Sequence, residues 1–364
     1  MLKELCKQRA LPPVWADKSV NWEARRAEIL RLLCEEEYGV MPVHDSIHWD
    51  ILSEKPFCAG KAILRKVLLT VRFGEEEFSF PIYASIPTRA GKHPFFVHIN
   101  FRENVPDRYM PSEEICDRGF AVLSFCYHSV TVDEVNPGGA NYTQGLNSLL
   151  FKHRERADNA CGKIAMWAWG ASRVLDYAMT LDSLDCHQAA VVGHSRLGKT
   201  ALLAGALDSR FACAISNDSG CSGAAISRGK AGESVKYITT AFPHWFCRNY
   251  RKYADHESEL PFDQHFLIAA QAPRLVYVAS AVEDEWSDPD SEYLSCFAAS
   301  EVWQRLGKKG FICPDRLPRA GEKFHEGDIG YHVRYGSHYF SREDWNHFMD
   351  FLETKRQKEE SPAV

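Results

Sequence analysis

The sequence is short of several things, and each shortage excludes a class of protein. No run approaches the ~18 consecutive apolar residues of a spanning helix, so no membrane segment is expected. None of the twelve cysteines forms a C-x-x-C pair, so the paired ligand spacing of a metal site is absent. There is no excess of positive charge. The 43 Lys and Arg stand against 49 Asp and Glu, and a net charge of -6 leaves no basic surface built for nucleic acid. The N-terminal stretch MLKELCKQRALPPVWADKSVNW carries charges throughout and lacks an apolar core of signal-peptide length. With scattered cysteines and no export signal, the expectation is free, buried thiols in a cytoplasmic protein. Internal repeats and low-complexity linkers are missing as well. No metal or cofactor is called for.

What is present suits a large α/β domain. The chain has 364 residues, 45% of them hydrophobic, enough to bury a sizeable core. It reads as one domain over 1–364, with residues 1–50 as an N-terminal arm and helix packed on it. In NWEARRAEILRLLCEEEYGVMP, Ile29, Leu32 and Leu33 fall at helical spacing, and Gly39 and Pro42 supply the stop. ILRKVLLTVRFGEEEFSFPIYASIP alternates like two strands turned near Gly74. HPFFVHINF, GFAVLSFCY, QAAVVG, FACAISND, RLVYVASAVED and IGYHVRYGS read as further strands. Between and after them, GKIAMWAWGASRVLDYAMTL, LGKTALLAGALD, SEYLSCFAASEVWQRLG and SREDWNHFMDFLETK read as helices, the last capped by Ser341. Apolar strands alternating with helices predict a mostly parallel central sheet covered on both faces. Ser195, Asp218, Asp284 and His338 each follow a predicted strand, so all four fall on the sheet edge where such folds place their sites.

The stretch GHSRLGKT, Gly193 to Thr200, supports two chemistries. It spells G-x-x-x-x-G-K-T, the loop whose backbone cradles phosphate. Several strands precede it, however, and RLVYVASAVED meets the accompanying magnesium motif only loosely. It also places Ser195 on a sharp turn between strand and helix, where a hydroxyl stands exposed as a nucleophile. The second glycine, Gly198, sits one place later than in G-x-S-x-G. The partners decide between the two. The α/β-hydrolase order is Ser, acid, His, and His338 lies in the loop between the last strand and the last helix, where that fold supplies its base.

GHSRLGKTALLAGA, SNDSGCSGAAISR, GESV, FPHWF, EDEW and GSHYFSREDW resemble the glucuronoyl esterases, carbohydrate esterase family 15, most of all their bacterial members. KIAMWAWGASRVLDY and RRAEILRLLCEEEYGVMP extend the likeness over roughly Trp22 to Phe351. The resemblance implies an α/β-hydrolase that cleaves (4-O-methyl-)glucuronoyl esters, as in lignin–carbohydrate links of glucuronoxylan, without a cofactor. It implies Ser195 as nucleophile, His338 as general base and Arg196 as oxyanion-stabilising side chain, with Lys199, Glu233 and Trp286 on the sugar. The chemistry of each residue agrees. An always-charged guanidinium beside the nucleophile suits a developing oxyanion, and an indole face suits a pyranose ring.

The acid stays open between Asp218 in NDSG and Asp284 in EDEW. Asp218 stands first, and the two can share the task; Glu283, Glu285 and Asp288 crowd the second place. Secreted fungal relatives carry a disulfide cysteine where this chain has His194, so that bridge is not expected here. The implied partner is a small-molecule or oligosaccharide uronate ester. The rivals are an acetyl (xylan) esterase on the same scaffold and a nucleotide-binding phosphate-loop protein.

Overall fold

The computed structural model describes residues 1–17, 19–134, 145–151 and 156–360, the last three by backbone alone. Helices α1 (Leu2–Gln8) and α2 (Trp22–Leu33) precede strands β1 (Ser46–Phe57), β2 (Ala62–Phe73) and β3 (Glu76–Pro87). Strands and helices then alternate: β4 (His93–Asn100), α3 (Ser112–Asp117), β5 (Ala121–Cys126), α4 (Tyr127–Val130), α5 (Gly145–Phe151), α6 (Lys163–Ala178), β6 (Leu184–His194), α7 (Arg196–Leu207) and β7 (Cys213–Asn217). The chain continues through α8 (Val235–Ala241), α9 (His265–Ala269), β8 (Leu275–Ala281), α10 (Pro289–Arg305), β9 (Lys323–Phe324), β10 (Ile329–Arg334) and α11 (Arg342–Glu360). No helix among the described residues is long and apolar enough to cross a membrane.

One sheet runs β1-β2-β3-β5-β4-β6-β7-β8-β10-β9. Its middle, from β5 through β4, β6, β7 and β8 to β10, is parallel. The β1–β3 meander at one edge and β9 at the other are antiparallel. This is the α/β-hydrolase arrangement. The parallel strands read as unbroken apolar runs because both of their faces are covered. Ala189 and Val191 of β6 and Val276 and Val278 of β8 join the larger core with α6, α7 and α10. The alternate residues Ala190, Val192, Tyr277 and Ala279 face the smaller core, filled by Trp345, Phe348 and Met349 of α11. Ser341 caps α11 as expected: its Oγ accepts from Asp344 N (3.2 Å), and Asp344 Oδ2 accepts from Ser341 N (2.7 Å).

Two parts depart from expectation. The arm stops short of residue 50, because β1 already begins at Ser46. This edge strand pairs only with β2, from Ser46 opposite Arg72 to Phe57 opposite Ala62. Most of its residues are exposed, so SIHWDILSEKPF has little to bury and shows no clean alternation. The short helices α3, α4, α5, α8 and α9 also escape periodicity, since one or two turns are too short to show it.

Candidate active site

The turn between β6 and α7 is one residue long. Ser195 occupies it at φ 58° and ψ −127°, a conformation that costs a non-glycine residue about 1–3 kcal/mol. The turn requires Gly193, since a Cβ there would lie 2.1 Å from the Leu197 carbonyl oxygen. Gly198 serves a different contact. A Cβ there would meet Asn217 O, Ser216 Oγ and Ser219 Cβ, each at 3.1 Å, where α7 crosses the end of β7. The late glycine therefore belongs to helix–strand packing rather than to the turn. Ser195 precedes the helix but makes no side-chain cap bond, which leaves its hydroxyl available for chemistry. The geometry removes the phosphate-loop reading. The helix starts at Arg196, inside the G-x-x-x-x-G-K-T pattern, so no extended loop remains to wrap around a phosphate.

His338 donates from Nδ1 to Asp284 Oδ2 at 2.6 Å. Asp284 is buried and also accepts from Ser287 Oγ at 2.6 Å. Burial pushes its pKa up, but the bonds from His338 and Ser287 outweigh that and hold it below the ordinary carboxylate range. It is therefore the anion that an imidazolium needs. From sequence Asp218 stands ahead of Asp284; the geometry reverses that order. Asp218 lies within 4.8 Å of the pair, yet its Oδ2 accepts from Arg334 Nη2 at 3.2 Å and its Oδ1 is buried without a partner. Burial, with Glu292 and Asp344 adding negative charge, raises its pKa well above the usual value. Of the crowding acids, Glu283 and Glu285 are exposed, and Asp288 caps α10 by accepting from Ser291 N at 3.1 Å.

Two clefts of about 310 and 340 Å³ meet at Ser195, Arg196 and His338, which line both. No direct Ser195–His338 hydrogen bond is formed among the described residues. Such pairs often stand long and tighten around substrate. The larger cleft also holds Lys199, Glu233 and Trp286. Lys199 is more engaged than its place one turn after Ser195 suggests. Its Nζ donates to the carbonyls of Ser219 and Cys221 and stands 3.6 Å from Glu233. Trp286 is about half exposed (49%) and meets Tyr237 edge to face at 4.9 Å. His194 donates from Nδ1 to Asn217 Oδ1 at 2.6 Å, and its ring lies 4.5 Å from that of His338. Burial and the neighbouring His338 lower its pKa to about 3, so it stays neutral.

Arg196 does not project freely. Its Nη1 donates to Asp133, and its guanidinium lies 4.7 Å from the Trp245 ring centre. Asp133 also accepts from His244 Nε2 (2.7 Å) and Trp245 Nε1 (2.6 Å). The buried Glu292 accepts from the backbone N–H groups of Ser219 (3.0 Å) and Gly220 (2.9 Å), holding the turn after Asp218. Sequence reasoning missed Asp133 and Glu292. The only signal near either was FPHWF, which contains His244 and Trp245.

A strained serine between a parallel strand and a helix, with an Asp-bound histidine from the loop before the last helix, defines a serine hydrolase of the α/β-hydrolase fold. The family model of fungal glucuronyl esterases matches residues 69–307. The chain is 48% identical to the carbohydrate esterase MZ0003 of an unknown prokaryotic organism, over 93% of this chain and 84% of that protein. It is 34% identical to the solved glucuronoyl esterase from Solibacter usitatus, with a TM-score of 0.85, covering 95% of this chain and 97% of that one. The 4-O-methyl-glucuronoyl methylesterase 1 of Wolfiporia cocos is 29% identical over 79% of this chain and 68% of its own length. The chain belongs to the glucuronoyl esterase family, whose members are carboxylic-ester hydrolases.

Proposed function

We propose that this chain hydrolyses esters of glucuronic acid and its 4-O-methyl ether, by a Ser195–His338–Asp284 triad and an acyl-enzyme. One observation carries the reading: the serine and its base share a cleft with Lys199, Glu233 and Trp286. In attack, Ser195 Oγ gives its proton to His338 Nε2 while Asp284 holds Nδ1–H and stabilises the imidazolium. Negative charge on the ester oxygen meets the Arg196 guanidinium and the unpaired N–H groups that begin α7. His338 then protonates the leaving alcohol, and water attacks the acyl-enzyme with His338 again as base. The uronate ring lies against Trp286, with its hydroxyls toward Lys199 and Glu233. The alcohol leaves through the smaller cleft, where Phe101, Tyr109 and Tyr339 supply aromatic walls. Twelve unpaired cysteines suit a reducing compartment, in which the substrates would be imported, smaller uronate esters.

The comparison of benzyl glucuronate with p-nitrophenyl acetate tests this. Turnover of the glucuronate is expected to exceed that of the acetate. Fast acetate turnover with none on the glucuronate would favour the acetyl esterase reading. Trp286→Ala is expected to raise KM for the glucuronate about tenfold with kcat little changed, as for a ring that contributes equally to ground and transition states. Steady-state kinetics on the purified variant checks it.

A further inference from the structure

We propose that Asp133 is the positioning residue of the oxyanion site, holding the Arg196 guanidinium at the angle from which it stabilises the developing charge. The proposal rests on Arg196 acting as the oxyanion donor. Three donors from two distant parts of the chain converge on this one carboxylate. His244 and Trp245 take Oδ1, and Arg196 takes Oδ2. Burial pushes the carboxyl up, but the His244 bond and the Arg196 charge carry it down to about 2, so the anchor is an anion at neutral pH.

The consequence falls on Arg196. Its Nη1 is committed to Asp133, and its Nε is enclosed without a partner. Nη2, with two N–H groups and no protein partner among the described residues, is the nitrogen that faces a ligand most freely. A long side chain is useful as an oxyanion donor only if its plane is fixed, and here two contacts fix it. The carboxylate sets one end of the fork, and the Trp245 ring lies under its face at 4.7 Å. Trp245 joins the two, because its face carries the guanidinium while its Nε1–H holds Asp133 at 2.6 Å. The Phe242 and Phe101 ring centres lie 5.6 and 5.8 Å away, and the guanidinium still opens onto both clefts. Removing the Asp133 charge would leave the guanidinium in place but free to turn. Catalysis would then suffer while sugar binding, which the proposal assigns to Lys199, Glu233 and Trp286, would not.

The test is a double-mutant cycle on benzyl glucuronate. Asp133→Asn keeps the shape and removes the charge, and is expected to lower kcat about 10²-fold with KM nearly unchanged. Arg196→Ala is expected to lower kcat by about 10²–10³. The double variant is expected to be no slower than Arg196→Ala alone, since Asp133 acts through Arg196. Reaction of Ser195 with an organophosphonate ester builds the same oxyanion, so its rate in Asp133→Asn is expected to fall in step with kcat. The affinity for free glucuronate is expected to stay the same.

Additive losses in the cycle, or an unchanged kcat in Asp133→Asn, would overturn the proposal. So would a loss that tracks weaker glucuronate binding. Trp245→Phe keeps the ring and removes one Asp133 donor. It enters the same cycle if Asp133→Asn shows no cooperative thermal transition, with a smaller loss expected and the same non-additivity required. Failure of the underlying esterase reading looks different: the parent would then turn over no benzyl glucuronate, or Ser195→Ala and Arg196→Ala would both leave its turnover intact.

Discussion

Asp284→Asn is expected to lower kcat on a glucuronate ester by about 10⁴-fold, the loss that follows when a triad base is held in the wrong tautomer. The reason is the 2.6 Å bond from His338 Nδ1 to Asp284 Oδ2. An amide can accept there, but it can equally turn its NH₂ toward the ring and leave Nε2 carrying the proton, so that the base cannot take one from Ser195. It also removes the charge that stabilises the imidazolium. Asp218→Asn is expected to cost far less, because Asp218 is bound to Arg334 and its raised pKa favours the neutral form.

The two acids also differ in sign against pH. A folded pKa raised above the unfolded value means that Asp218 costs stability as pH rises through and above the ordinary carboxylate range. Asp218→Asn is therefore expected to melt higher than the parent at pH 7, with the gain fading as pH falls toward about 4. Asp284, with a lowered folded pKa, contributes stability above the unfolded value and loses it as pH falls through the folded one. Kinetics of both single variants and the double, with thermal melts at two pH values, check the pair. A loss in Asp218→Asn equal to that in Asp284→Asn would reverse the assignment.

Ser195→Ala is expected to lower kcat by about 10⁶-fold, the scale of losing a serine nucleophile whose triad acts as a unit. Substrate binding should persist, because the sugar-side contacts are untouched. The backbone adds a second, separable expectation. Ser195 stands at φ 58° and ψ −127°, where alanine is as strained as serine but glycine is not. Ser195→Gly should be equally inactive yet more stable than Ser195→Ala by about 1 kcal/mol. Differential melting of the two variants reads that strain directly. Equal stability would show that the turn is not strained.

The legible parts of this protein are those in which one local property repeats or stands at a fixed place. β4 to β8 were readable because strands buried on both faces are apolar along their whole length. Ser195 and His338 were readable because each stands in the loop after a strand, in the chain order the fold imposes. β1 was hidden, since an exposed edge strand has no buried face to mark it. Gly198 was misplaced for a similar reason: the eye assigns it to the turn, while its neighbours are on β7.

Sequence alone thus determined the parallel sheet and the family, and it placed Ser195 and His338 in loops at the end of that sheet where the site lies. Each depends on residues near one another in the chain or on a periodic pattern of burial. Only the tertiary structure decided which carboxylate is hydrogen-bonded to His338, because Asp218 and Asp284 occupy equivalent places at two strand ends. Their difference is one of surroundings: Asp284 receives donors from His338 and Ser287, while Asp218 is buried among other acids with one arginine. Asp133 became visible for the same physical reason. Hydrogen bonds and burial act through space, and Asp133, Arg196 and Trp245 become neighbours only when the chain is folded.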